Sequence, residues 1–199
     1  DGTTGEILHI VLDGHDVRGV LPVELGYLSS LVSIYMAGNK LDGTLPTELG
    51  LLEHLEVLLL DNNDMIGTLP TQYGNLVKLK EMELQDNNFN GGIPSQWGNL
   101  NKLLFLDLST NPLGGNIPLS MYQMTSLEEL WLGDNELIGT LATQVGLLTK
   151  LRTLNINKNL LGGSIPTEIG LCVLMQQFTV ASNQMDGTIP TQIGFLTDL

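Results

Sequence analysis

Apolar residues recur along this chain with a period of 24 and no insertion or deletion, so that Ile7, Leu31, Leu55, Leu79, Leu103, Leu127, Leu151, Met175 and Leu199 share one register. Set out in rows of 24 from Ile7, the sequence gives eight repeats with apolar side chains in columns 1, 4, 6, 11, 15, 19 and 22. Columns 4 and 6 alternate with polar or variable columns 3, 5 and 7, which is the period of a short strand with one buried face. A unit this short cannot bury seven apolar side chains alone, but units stacked face to face make one continuous core. The pattern predicts a solenoid whose strands pair into a parallel sheet, about 38 Å wide for eight strands at roughly 4.8 Å spacing.

Three further columns are fixed for reasons of backbone. Column 9 is Asn in seven of eight repeats, from Asn39 to Asn183, with His15 in the first. It follows the strand, where the chain must turn, and an amide that both donates and accepts can satisfy turn backbone that is otherwise buried unpaired. Column 13 is Gly in all eight repeats, and column 16 is Pro in seven, with Ala142 the exception. Gly permits a positive φ there and Pro fixes a negative one, so both shape the return path. The row spells LxxLxLxxNxLxGxLPxxLGxLxx. It resembles the plant-type leucine-rich repeat over residues 7–199, as in receptor-like kinase ectodomains and polygalacturonase-inhibiting proteins. The resemblance implies an α/β solenoid, a horseshoe with a parallel β-sheet on its concave face and turns or 3-10 segments on its convex face.

Composition narrows the setting. The formal net charge of −14 disfavours nucleic acid, because phosphate binding needs a basic face. No apolar run is long enough to span a membrane. The opening Asp1–Ile7 looks like the stretch that follows an N-terminal cap, and Leu199 would begin a ninth repeat. The domain expectation is therefore a remnant at 1–6, eight repeats over 7–198, and truncation at both ends of a longer protein, extracellular, lumenal or membrane-associated. Against that setting, none of the sixteen asparagines lies in an Asn-x-Ser/Thr sequon. Cys172 stands in column 22, an apolar column, and is expected to be a buried small side chain.

Function is expected where the repeat does not dictate the residue, in the outward columns 3, 5, 7 and 8 of the concave face. In the middle repeats these columns combine acids with aromatics. The candidate partner-binding residues are Tyr35, Leu59, Asp61, Glu81, Glu83, Asp86, Phe105, Asp107, Glu129, Trp131, Asp134 and Asn155. The two tryptophans separate by column. Trp97, in column 19, is expected in the core, and Trp131, in column 5, faces outward, where burying a large ring against a partner is favourable. All seven methionines fall in apolar columns and are expected as core filler. The expected function is non-enzymatic recognition of a protein or peptide with basic and apolar character, or a scaffold. The alternatives are a receptor-like ectodomain sensing an extracellular ligand, and an ice-binding or purely structural assembly subunit.

Other chemistries fit less well. His9, Asp13 and Ser33 suggest a triad, but His9 and Asp13 are four residues apart on one strand, about 13 Å at 3.3 Å per residue. No phosphate loop, zinc spacing or CxxC is present, and a flat ladder of acids does not converge 6 to 8 oxygens on one metal ion, so no cofactor is expected. Hydroxyl residues recur in columns 14 and 17, as an ice-binding surface requires, but Val23, Gly92, Asn116 and Leu119 interrupt them. Five of the eight basic residues, Lys78, Lys80, Lys102, Lys150 and Arg152, form a strip in columns 24 and 2, where they are expected to balance acids such as Glu56 and Glu128. Repeat 5 departs most from the rule, with Pro112 in column 10, Tyr122 in place of Gly in column 20 and Met124 in column 22.

Overall fold

The computed structural model describes residues 6–199, so the expected N-terminal remnant, apart from Glu6, lies outside the described residues. Each repeat contributes one three-residue strand to a parallel sheet of eight, from His9–Val11 in repeat 1 to Gln177–Thr179 in repeat 8, in sequence order. The register is column to column, so Glu83 lies beside Asp107 and Asp107 beside Trp131. On the far side eight five-residue 3-10 segments run from Val23–Tyr27 to Thr191–Phe195, and the described residues contain no α-helix. Each segment begins after the column 16 residue, which is held near φ −70° (Pro46 −65°, Pro22 −70°); Ala142, at −75°, keeps the same path without a ring. Short parallel pairings follow the turn, Arg18–Val20 with Lys40–Asp42 and Ile66–Thr68 with Asn88–Asn90, two further two-stranded sheets that the sequence pattern does not announce.

Between the two faces lies one continuous core running through every repeat. Trp97 and Cys172 are fully buried; six of the seven methionines are buried and Met185 is partly so. The aromatics of column 19 also stitch repeats together. The Tyr73 hydroxyl donates to the carbonyl of Pro46 at 3.2 Å and Trp97 Nε1 to that of Pro70 at 2.9 Å, each one repeat back. Their rings stack with centroids 6.4 Å apart.

The column 9 asparagines form the ladder expected of them. Asn87 accepts from the Met65 amide at 3.0 Å and donates to the carbonyls of Leu60 and Leu84 at 3.0 and 3.2 Å, so one side chain closes the turn of its own repeat and staples it to the one before. The same pattern recurs at Asn39, Asn63, Asn111, Asn135, Asn159 and Asn183. Column 20 has a different cause. A Cβ on Gly98 would sit 2.5 Å from the carbonyl oxygen of Ser120 in the next repeat, so adjacent 3-10 segments approach as closely as they do because no side chain intervenes.

Tyr122 breaks that rule, and the 3-10 segments of repeats 5 and 6 make the loosest contact of any neighbouring pair. Its ring is buried, and burial pushes the phenol up to about 12, only partly offset by the Ala142 backbone. The Ala142 backbone lies near the hydroxyl, but among the described residues nothing meets it in hydrogen-bonding geometry. Tyr122→Phe should therefore raise stability by about 1 kcal/mol, because it removes a buried polar atom without orphaning a partner; urea denaturation measures the difference. Pro112, without an amide hydrogen, cannot make the bond that Asn88 and Glu136 make from the same column to the repeat before, at 2.7 and 2.8 Å. The irregularity stays away from the concave side, where repeats 4, 5 and 6 keep their register.

Candidate functional site

The concave sheet lays columns 3 and 5 out as two parallel rows of side chains. Column 3 runs Glu81, Phe105, Glu129 across repeats 4 to 6, and column 5 runs Tyr35, Leu59, Glu83, Asp107, Trp131, Asn155 across repeats 2 to 7. Register thus brings ten of the twelve candidate residues onto one surface or its margin, Asp61 joining from column 7. The three aromatics, expected to be exposed, are instead half-buried among their strand neighbours. Trp131 Nε1 donates to Glu129 Oε2 at 3.0 Å, which fixes the ring along its own strand.

Glu83 and Asp107 face each other from adjacent strands. Burial raises the Glu83 carboxyl above its ordinary value, opposed by the Gln85 amide at 2.9 Å and reinforced by Asp61 and Glu81. Burial likewise raises Asp107, opposed by the Ser109 hydroxyl and amide at 2.5 and 2.8 Å and reinforced by Asp86 and Asp61. Gln85 Oε1 is buried and, among the described residues, meets no donor. The four ion pairs among the described residues lie elsewhere: Lys40–Asp16, Lys80–Glu56, Arg152–Glu128 and Lys158–Asp134. Two of these, at Glu56 and Glu128, are the balance expected of the basic strip, and Lys80 holds Glu56 below the usual carboxylate range.

Two candidate residues look different in place. Asp86 and Asp134 occupy column 8, where every repeat turns through a positive φ: 53° and 57° at these two, 62° at Gly38, 53° at Asn62 and 49° at Lys158. Column 8 is therefore constrained by the backbone, which favours Gly, Asn and Asp there. Asp134 is also paired with Lys158 at 2.7 Å. Both residues line a rim groove of about 470 Å³ or stand beside it, with Pro112, Thr110 and Glu136 in its wall. No signal in one sequence distinguishes a turn requirement from a chosen acid at such a column.

The catalytic alternative gains no support. His9 Nδ1 lies 2.8 Å from Ser33 Oγ, but Ser33 is buried, and Asp13 instead accepts from the Ala37 amide at 2.8 Å. Among the described residues no group of three or more His, Cys, Asp or Glu is placed to hold a metal ion, and no helix is long and apolar enough to cross a membrane. The column 17 hydroxyls are largely engaged locally, as in Thr47 with Glu48 and Thr71 with Gln72, each at 3.2 Å.

A parallel sheet on one face, 3-10 segments on the other and an asparagine ladder between them define a leucine-rich repeat solenoid. A leucine-rich repeat region profile matches residues 47–165 and a single-repeat profile matches residues 30–52, and the chain belongs to the leucine-rich repeat family. Among solved structures it is similar to the plant peptide hormone receptor RGFR1 in complex with RGF2, with 34% identity, a TM-score of 0.91, and 92% of this chain and 30% of that one covered. The ectodomain of the membrane receptor kinase GASSHO1/SCHENGEN3 from Arabidopsis thaliana, in complex with CASPARIAN STRIP INTEGRITY FACTOR 2, gives 34% identity and a TM-score of 0.94, covering 96% and 23%. A plant ice-binding protein shares the fold at 23% identity and a TM-score of 0.67, covering 96% and 77%. The chain thus spans 23% to 30% of the two receptor chains it matches. No match was found among curated proteins.

Proposed function

We propose that the concave face of repeats 3 to 6 is a non-enzymatic recognition surface for a protein or peptide segment carrying basic and apolar side chains. One observation carries this reading. Glu83 and Asp107 stand together, half out of water, with raised carboxyls and, among the described residues, no cation paired to them. An arrangement that weakens the fold is retained where it serves binding. A cationic group of the partner would relieve the repulsion, and Phe105 on the strand of Asp107 and Trp131 on the next strand supply apolar anchors. The similar receptors were solved with RGF2 and CASPARIAN STRIP INTEGRITY FACTOR 2, which supports the same class of use here. On that likeness the segment belongs to an extracellular, lumenal or membrane-associated receptor-like ectodomain, as part of a longer protein and possible member of a larger assembly.

The test uses peptides selected from a random library on the immobilised wild-type chain. Trp131→Ala should speed their dissociation by roughly 30-fold, the equivalent of about 2 kcal/mol for a central aromatic anchor. Unchanged dissociation would move the site off this face.

A further inference from the structure

Column 5 of the concave face reads apolar, acid, acid, apolar over four consecutive strands: Leu59, Glu83, Asp107 and Trp131, each directly beside the next. The two acids are held from one side only. Ser109 donates its amide and its hydroxyl to Asp107 Oδ1, and Gln85 Nε2 donates to Glu83 Oε2, so column 7 engages one oxygen of each carboxylate. Asp107 Oδ2 and Glu83 Oε1 are left for a donor from outside, and the head of a lysine or arginine between the two strands would meet both. Phe105, two residues before Asp107 on the same strand, borders this position, where its ring can take the stem of the basic side chain. Leu59 and Trp131 are half-buried at the two ends of the run, and Trp131 is fixed by its bond to Glu129.

The strand spacing sets what can lie on this run. At roughly 4.8 Å per strand, the midpoint of the acid pair is one and a half strands, or 7 Å, from Leu59 on one side and from Trp131 on the other. In an extended segment laid across the strands, side chains two residues apart share a face and are separated by about 6.6 Å, which fits. A polyproline helix repeats a face only every three residues, about 9.3 Å, and overshoots. An α-helix is about 10–12 Å across and would press on column 3 as well. There Glu81, Phe105 and Glu129 run acid, aromatic, acid, out of step with column 5, so one helix face would set apolar groups against acids.

We infer, resting on the recognition surface proposed above, that its ligand is an extended segment crossing the strands along column 5 with the pattern apolar-x-Lys/Arg-x-apolar, the base between Glu83 and Asp107 and the apolar side chains on Leu59 and Trp131. The residues marked x point away from the sheet and are not read. The test is a set of four capped nonapeptides of one composition, each a serine chain with a central lysine and two leucines placed one, two, three or four residues from it on both sides. Titrated against the wild-type chain at low salt, the peptide with leucines two residues away should bind roughly 10-fold more tightly than the other three, which misplace both anchors. Leu59→Ser and Trp131→Ala should each cost that peptide more affinity than the others. Leu59→Glu should instead favour the same peptide with the leucine that faces residue 59 replaced by a second lysine, and the end that accepts the lysine gives the direction of the segment. A preference for another spacing, equal binding by all four peptides, or no binding would overturn the inference. The recognition surface itself falls only if peptides selected from a random library also ignore Trp131→Ala, so the two failures are told apart.

Discussion

Asn87→Ala is expected to lower the stability of the chain by about 3 kcal/mol, because a buried amide left without a partner costs about 1–3 kcal/mol and each further hydrogen bond lost about 0.5–1.5 kcal/mol. The substitution orphans the Met65 amide and removes one of two side-chain donors from each of the Leu60 and Leu84 carbonyls, which keep Asn63 and Asn111. All four residues are buried, so water reaches the freed groups poorly. The loss is a large part of the roughly 5–15 kcal/mol that holds a domain folded. It also falls between repeats 3 and 4, in the middle of a structure whose cohesion passes from neighbour to neighbour. Urea denaturation should show either a midpoint shift of that size or two transitions as the halves uncouple. The same change at exposed Asn88, one residue on, should leave the curve in place.

The opposite sign is expected of Glu83→Gln combined with Asp107→Asn. Both carboxyls have raised values in the folded chain, so the folded state holds protons that the unfolded state has released. The stability that these two groups contribute is then fully present below the ordinary carboxylate range, near pH 4, and is lost as pH rises through their raised values. Removing both charges should raise the melting temperature at neutral pH and flatten this part of the pH dependence. Affinity for the selected peptides should fall by roughly 30-fold or more, since removing one side of a desolvated charge contact costs at least about 2 kcal/mol. A variant that folds better and binds worse separates a recognition role from a structural one.

The particular columns explain how far the sequence could be read. Columns 4, 6 and 9 were legible because their reasons are local: alternation makes the strand, and an amide with both donor and acceptor closes the turn. The two tryptophans could be sorted for the same reason, Trp97 going to the core and Trp131 to the sheet face. Column 20 was visible as glycine but not as the contact with the next repeat's backbone that makes it so, because that contact spans two repeats. Column 8 reads as freely chosen in the sequence because a left-handed turn leaves only a soft preference for Gly, Asn and Asp, which Thr110 and Lys158 override. The half-burial of Tyr35, Phe105 and Trp131 depends on side chains from adjacent strands, and the periodicity reports direction but not neighbours.

The most direct test of the recognition surface is to pan a random peptide library against the wild-type chain at low salt, then titrate the selected peptides against the wild type, Trp131→Ala, and the Glu83→Gln, Asp107→Asn variant. Selected sequences rich in Lys or Arg beside apolar residues, with affinity lost in both variants and reduced by added salt, are the predicted result. Peptides that bind all three chains alike would contradict a site on the concave face.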